Sequence, residues 1–172
     1  MSRQYAVTNT FPAAHHAAVE LQAWLWTRPE TLDVHNVEDD PAYQKADVDL
    51  LWLTEKARYK IEIKADRLGH HTGNYFFETH SNQEKGTPGC FLYTEADLFF
   101  YYFTETRRLA ILPMPATRAW FLPRQDQFPE RKTTTPVRNG FYTTVGRLVP
   151  VSLVSQEVKG VWVATIPPGL VF

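Results

Sequence analysis

The chain holds a single cysteine, Cys90, which excludes an internal disulfide and any zinc site built from several cysteines. No defined Cys-His arrangement surrounds it in the sequence, so its context does not favour a thiol nucleophile. No uninterrupted apolar run reaches membrane-spanning length, and residues 1–9 lack the charged-then-apolar pattern of a signal peptide. We therefore expect a soluble, cytoplasmic protein without a membrane partner.

A large net charge is also lacking, since 18 Lys and Arg stand against 19 Asp and Glu in 172 residues. The two signs are nevertheless separated along the chain. Residues 1–106 hold nine Lys and Arg against sixteen Asp and Glu, whereas residues 107–156 hold eight against two. A hydrophobic content of 44% over this length predicts one domain, residues 1–172, with an adequate core.

The segment 45–66 combines two apolar, strand-like runs with an aspartate, a glutamate and a lysine. Side chains alternate between the two faces of a strand, so Glu62 and Lys64 project from one face of the second run and its apolar residues from the other. The short polar turn 54–58 predicts a hairpin between the runs. This hairpin would bring the carboxylate of Asp49 beside that of Glu62.

Two carboxylates with a lysine two residues further on suit the hydrolysis of phosphodiester bonds. A hard divalent ion such as Mg²⁺ takes oxygen ligands and keeps waters, so Asp49, Glu62 and a substrate phosphate suffice to hold it. Such an ion polarises the phosphoryl group and acidifies a water. Lys64 is placed to orient that water or to offset the negative charge that develops. Asp47 shares the strand face of Asp49 and remains open as the alternative ligand.

The pattern of Asp49 followed by Glu62-x-Lys64 after a short hairpin resembles the PD-(D/E)XK nuclease superfamily, which includes many restriction endonucleases. Val48 stands where the superfamily's name has proline, at a position that varies freely. The resemblance extends over about residues 45 to 103. It implies an α/β, restriction-endonuclease-like core: an N-terminal helix, an antiparallel three-stranded meander in a mixed sheet, a further helix and another strand, here with extra C-terminal strands.

The same resemblance implies that Asp49 and Glu62 bind Mg²⁺ or Mn²⁺ and that Lys64 is the catalytic lysine. Residues 11–26 are predicted to form a helix with an apolar stripe. Superfamily members often place a glutamate of the first helix near the metals, so Glu20 is an auxiliary metal ligand by resemblance, with a solvated helix glutamate as the alternative.

A third strand is predicted over residues 74–82, NYFFETHSN, where Glu78 lies among aromatic residues. A carboxylate in such surroundings is costly to bury unless it is paired or bound to a metal. Glu78 is therefore a second auxiliary metal ligand. His70 and His71 are predicted to lie in a turn near the site, where we favour substrate contact or simple exposure over zinc.

The basic stretch 107–156 predicts a surface for backbone phosphates, whose neutralisation drives salt-sensitive binding. Aromatic residues interleave with it, as stacked bases would require, although we favour a core role for them. The candidate nucleic-acid-binding residues are Arg118, Arg124, Arg131, Lys132 and Arg138.

The rest of the chain is predicted more coarsely. We expect strands at 96–103, 108–114, 140–154 and 158–166, a short helix at 116–122, and a loop or mobile flap at 123–136.

The sequence therefore predicts a Mg²⁺- or Mn²⁺-dependent nuclease acting on nucleic acid, with DNA favoured over RNA and a homodimer left open. One alternative is the same fold without catalysis, binding nucleic acid or serving as a subunit of a larger assembly. Another is a β-rich protein-interaction module in which Asp49, Glu62 and Lys64 form surface cross-strand ion pairs.

Overall fold

The computed structural model describes residues 11–137 and 140–170, with side chains from residue 15 onward. The helices and strands are, in chain order, α1 (Phe11–Trp26), β1 (Thr31–Asn36), α2 (Pro41–Gln44), β2 (Leu50–Thr54), β3 (Arg58–Asp66), α3 (Gly69–Thr72), β4 (Asn74–Asn82), β5 (Thr87–Pro88), α4 (Cys90–Tyr93), β6 (Leu98–Phe103), β7 (Arg108–Pro113), α5 (Ala116–Phe121), a 3₁₀ helix (Leu122–Gln127), β8 (Glu130–Val137), β9 (Gly140–Pro150), α6 (Val151–Glu157) and β10 (Trp162–Thr165).

Within the described residues the strands form two sheets. The six-stranded sheet has the order β1-β2-β3-β6-β7-β10, and the four-stranded sheet has the order β5-β4-β9-β8. β1, β2 and β3 form an antiparallel meander, and β6 then pairs with β3 in parallel. The α/β class, the mixed sheet and the antiparallel meander therefore agree with the prediction.

The turn between β2 and β3 is held by the side chain of Thr54. Its Oγ1 accepts hydrogen bonds from the amides of Lys56 and Ala57 and donates one to the Ala57 carbonyl oxygen. Such local bonds from a hydroxyl to the backbone are typical of tight turns. The turn sets the register in which Leu50 lies opposite Ile61, and this register places the residue before β2 next to Glu62.

The central strands β6 and β7 of the six-stranded sheet are buried on both faces, to which their successive side chains point alternately. On one face, α1 packs its buried residues, among them Leu21 and Trp24, against Ile61 and Ile63 of β3 and Tyr102 of β6.

On the other face, an aromatic layer joins the six-stranded sheet to the four-stranded sheet and the short helices. Phe77 of β4 stacks on Phe91 of α4 with ring centroids 3.9 Å apart, and Phe91 meets Phe99 of β6 edge to face. Glu62 and Lys64 project towards this second layer because they alternate with Ile61 and Ile63 along β3.

Several predicted elements are confirmed. The helix α1 and the strand β4 have the predicted bounds. β6, β7 and α5 are present with ends that differ from the prediction by one or two residues. The predicted alternation of faces along β3 is also present, since Ile61 and Ile63 lie in the core beneath α1.

Three predictions for the C-terminal part are wrong. Residues 123–136 do not form one loop, because they contain a 3₁₀ helix and most of β8. β8 lies at the edge of its sheet, where a proline is tolerated because its missing N–H faces no partner strand. The predicted strand 140–154 ends at Pro150, where α6 begins, and the predicted strand 158–166 is reduced to Trp162–Thr165.

The further helix expected between the meander and the next strand is also absent from the described residues. The chain between β3 and β6 instead forms the four-residue helices α3 and α4 and the strands β4 and β5. None of the helices in the described part of the chain is both long and apolar enough to cross a membrane.

Candidate metal and catalytic site

Asp49 and Glu62 meet at the open end of the β2–β3 hairpin. The amide of Asp49 donates to the Ile61 carbonyl oxygen at 2.8 Å, and its Oδ2 accepts from the Ile63 amide at 2.8 Å. The carboxyl groups of Asp49 and Glu62 lie close enough for each to shift the pKa of the other. The structure thus brings these two residues together as the hairpin predicts.

Asp47 joins the same cluster from the loop before β2. Its backbone has a φ of 54°, a left-handed conformation that aspartate tolerates better than most residues. Its side chain contacts Tyr93 and Glu62. One of its oxygens, Oδ2, is buried and has no hydrogen-bond partner among the described residues. The choice between Asp47 and Asp49 is therefore not exclusive, because both contact Glu62.

The three carboxyl groups form what we call the acid cluster: Asp47, Asp49 and Glu62. Burial raises the pKa of Asp47 to about 6 and that of Asp49 to about 7. Burial, with the charges of Asp49 and Asp47, raises the pKa of Glu62 well above its usual range. Groups with such pKa values favour a nearby positive charge, because a cation lowers the free energy of the ionised forms.

Lys64 lies next to the acid cluster and forms an ion pair with Glu78 of β4. Burial alone would lower the pKa of Lys64, but the charge of Glu78 and the hydrogen bond to it outweigh burial and raise the pKa above its ordinary value. Lys64 is therefore a cation in the folded protein. The Nζ of Lys64 also lies 6.0 Å from the ring centroid of Phe76.

Cys90 contributes a thiol to the same region. Its Sγ lies 3.9 Å from Glu78 Oε2, and ligand atoms of Cys90, Asp47 and Glu62 all lie within 4.8 Å of one another. Burial raises the pKa of the Cys90 thiol well above its usual range. The protonated thiol is a poor metal ligand and a poor nucleophile.

Close packing of α4 on β4 positions Cys90 and Tyr93. A Cβ on Gly89 would overlap the backbone carbonyl of Glu78, so this approach requires a glycine. Arg118 holds the other side of α4, where it donates to the carbonyl oxygens of Phe91 and Thr94 at 3.0 and 2.6 Å. The guanidinium of Arg118 is therefore engaged within the fold, although it was a nucleic-acid candidate.

Glu20 is not brought to the acid cluster. It lies on α1, on the opposite face of the six-stranded sheet, where Tyr102 donates to its Oε2 at 2.5 Å and Arg107 pairs with its Oε1. The sheet itself separates Glu20 from Glu62, because Glu62 projects from the other face of β3. The sequence could not reveal this, since the apolar stripe of α1 does not say which sheet face it covers.

The remaining basic candidates occupy different surroundings. Arg124 lies 5.4 Å from the ring centroid of Trp120 and donates to the Trp120 carbonyl oxygen. Arg131 and Lys132 are exposed on β8. Arg138 lies outside the described residues.

Arg131 shares a sheet face with Glu78. Glu78 lies opposite Gly146 of β9, which in turn lies opposite Arg131 of β8, and residues directly opposite each other project from the same face. Two strand spacings, about 9.6 Å, separate the backbones of Glu78 and Arg131. Lys132 faces the other way, opposite the buried Val145.

Sequence reasoning missed Cys90 and Tyr93 as members of the site. Cys90 and Tyr93 stand three residues apart in GCFLY, the spacing that places two side chains on one side of a helical turn. This spacing is the sequence feature that indicates they act together. Comparisons of the chain with protein-family models, curated proteins and solved structures found no match.

Proposed function

We propose that this protein is a metal-dependent nuclease of the PD-(D/E)XK type that hydrolyses phosphodiester bonds in nucleic acid, with DNA as the expected substrate. The observation that carries the proposal is the meeting of the acid cluster with the Lys64 cation in one buried region. This combination supplies ligands for a divalent ion and a positive charge beside it.

The acid cluster fits Mg²⁺ or Mn²⁺. It offers carboxylate oxygens, which hard divalent ions prefer, and the unpartnered Oδ2 of Asp47 is a buried acceptor without a donor among the described residues. Asp47, Asp49 and Glu62 would hold the ion, which when bound polarises the scissile phosphate and acidifies a water.

The protein's own side chains supply orientation and charge. The bond from the Ile63 amide to Asp49 Oδ2 fixes the direction of that carboxylate. Lys64 is a cation, so its role is to donate hydrogen bonds to a phosphate oxygen and to offset developing negative charge, not to act as a base. Glu78 positions the Lys64 amine through their ion pair.

The order of elements also supports the superfamily. The helix α1, the meander β1–β3 and the parallel strand β6 follow the expected sequence of core elements. The replacement of the second helix by α3, β4, β5 and α4 is a departure, so the restriction-endonuclease-like core is part of the proposal.

The alternative of a β-rich interaction module with surface ion pairs has less support. Glu62 is only 7% exposed, and the side chains of Lys64 and Glu78 are 25% and 13% exposed. Surface pairs hold both partners in water, whereas these three groups are largely removed from it.

The test is cleavage of labelled duplex, single-stranded and branched DNA and of RNA, with Mg²⁺ and with EDTA. We expect Mg²⁺-dependent cleavage of DNA that Lys64→Ala abolishes. Lys60→Ala is the matched control, because Lys60 lies four residues earlier on the same face of β3 and pairs with the exposed Glu95. Thermal unfolding of both variants checks that they fold.

Two results would contradict the proposal. Absence of cleavage on every substrate, with retained binding, would indicate the inactive nucleic-acid-binding alternative. Equal cleavage by Lys64→Ala and wild type would remove Lys64 from the mechanism.

A further inference from the structure

Two histidines and a glutamate meet beyond the acid cluster, where the parallel strands β3 and β6 end. His70 and His71 lie on α3, and Glu105 lies in the turn between β6 and β7. The Nε2 atoms of His70 and His71 are 3.4 and 3.7 Å from the same oxygen, Oε2 of Glu105. The two imidazole rings have centroids 3.6 Å apart.

These separations are longer than a hydrogen bond between an imidazole and a carboxylate. A charge-assisted bond of this kind measures about 2.7 to 2.9 Å, and His35 Nε2 reaches Asp33 Oδ2 at 2.8 Å. Two ligands of one tetrahedral Zn²⁺ ion, with bonds of about 2.0 to 2.2 Å, stand about 3.4 Å apart. The contacts of Glu105 with both histidines therefore match the spacing of ligands around a shared ion.

The backbone on both sides of this group is fixed. The Oδ1 of Asp66 accepts from the amides of Leu68 and Gly69 at 2.8 Å each, which closes the turn that leads into α3. A Cβ on Gly69 would lie 2.8 Å from the ring of Phe103 and 2.5 Å from the Oδ2 of Asp66, so α3 sits directly against the end of β6. Glu105 follows Phe103 by two residues.

The tautomer of His70 can be set for metal binding. Its Nδ1 is buried without a hydrogen-bond partner among the described residues, and the ring lines a cavity of about 150 Å³. The other ring nitrogen, Nε2, faces Glu105 Oε2, and its lone pair is available to a metal when the ring proton is on Nδ1.

We propose that His70, His71 and Glu105 bind one divalent transition-metal ion of the Zn²⁺ class, which ties α3 to the β6–β7 turn. Two imidazoles and a carboxylate form a donor set suited to such ions. The side chains of His71 and Glu105 are 66% and 48% exposed, so solvent can supply the fourth ligand. This site is separate from the acid cluster and does not depend on the nuclease proposal.

The test is titration of the EDTA-treated, desalted full chain with Zn²⁺, with excess Mg²⁺ present to occupy carboxylate sites. Binding is followed by calorimetry and by the shift in unfolding temperature. We expect wild type to bind a Zn²⁺ equivalent whose affinity falls about 10- to 100-fold or more in His71→Ala and in Glu105→Gln. Both side chains are exposed, so both variants should unfold like wild type in EDTA.

The matched control is His16→Ala, because His15 and His16 are the other pair of adjacent histidines and both are exposed. It should keep the Zn²⁺ affinity of wild type. The proposal is overturned if wild type binds no Zn²⁺ at micromolar concentration, or if His71→Ala and Glu105→Gln titrate as wild type does.

Discussion

At the residue scale, the acid cluster determines how the protein responds to protons and metal ions. Its three carboxyl groups are buried together, and the nearest cation, Lys64, is already paired with Glu78. In the metal-free protein the cluster therefore retains protons at a pH where exposed carboxyl groups have lost theirs. Protons and a divalent ion compete for the same oxygens.

The pH dependence of stability should reveal this competition. A carboxyl group whose pKa is higher in the folded than in the unfolded chain binds protons more tightly when folded, so its protonation stabilises the fold. For Asp49 this contribution is fully present below its ordinary value of 3.8 and is lost as the pH rises to about 7. We expect Asp49→Asn to lose less stability than wild type over this pH range in EDTA.

Thermal unfolding from about pH 4 to about pH 8 measures this difference. Asp39→Asn, which changes an exposed acid, should follow wild type. Mg²⁺ should stabilise wild type most above pH 7, where Asp49 is ionised. Identical pH profiles for Asp49→Asn and wild type would show that Asp49 does not carry a raised pKa.

Glu20 and Glu78 should have different roles, because they lie on opposite faces of the six-stranded sheet. Glu20→Gln weakens bonds to Arg107 and Tyr102, so we expect a loss of about 1.5 to 3 kcal/mol in the free energy of unfolding with unchanged Mg²⁺ affinity. Glu78→Gln leaves Lys64 without its charged partner and should lower the cleavage rate. Chemical denaturation measures the stability of Glu20→Gln, and Mg²⁺ titration measures its metal affinity. Single-turnover cleavage measures the rate of Glu78→Gln. Weaker Mg²⁺ binding by Glu20→Gln would contradict the structural role given to Glu20.

At the scale of elements, the sequence predicts those parts whose local pattern agrees with their tertiary surroundings. The β2–β3 hairpin has alternating faces and a polar turn, so its register and the contact of Asp49 with Glu62 follow from the sequence. β8 was missed because the three prolines of residues 123–136, of which only Pro136 lies in β8, suggested a loop. Its edge position and consecutive threonines nevertheless favour a strand. The spacing of Cys90 and Tyr93 indicates that they share one side of a helical turn, but the sequence does not place that turn at the site, because its position depends on the contact of Gly89 with β4.

The docking of α4 should be sensitive to a single methyl group. In Gly89→Ala the new Cβ would overlap the backbone carbonyl of Glu78, which cannot move without distorting β4. We expect a loss of about 1 to 3 kcal/mol in the free energy of unfolding and displacement of Cys90.

Thiol-reagent kinetics should show slow modification of Cys90 in wild type, where burial raises the pKa of its thiol, and faster modification in Gly89→Ala. Thr87→Ala, in the exposed strand β5, is the control, and equal rates in Gly89→Ala and wild type would contradict this account of the packing.

At the scale of the whole molecule, the two sheets divide the proposed work. The six-stranded sheet carries Asp49, Glu62 and Lys64, and the four-stranded sheet carries Glu78 and, on the same face, Arg131. The sequence indicated a basic C-terminal part, but it could not indicate which basic side chains share a face with the site. Arg118 and Arg124 are engaged by the fold, which leaves Arg131 as the described candidate on that face.

Neighbouring residues on β8 allow this arrangement to be tested. If nucleic acid crosses the sheet face between Glu78 and Arg131, Arg131→Ala should weaken binding to all sequences. It should also flatten the dependence of log K on log salt by about 0.7 to 0.9 for one lost phosphate contact. Lys132→Ala removes the same charge from the opposite face, beside Glu130, and should leave the slope unchanged. Binding to a labelled oligonucleotide over a salt series, with Ca²⁺ in place of Mg²⁺, measures both variants. Equal slopes for Arg131→Ala and Lys132→Ala would place the phosphate path away from this face.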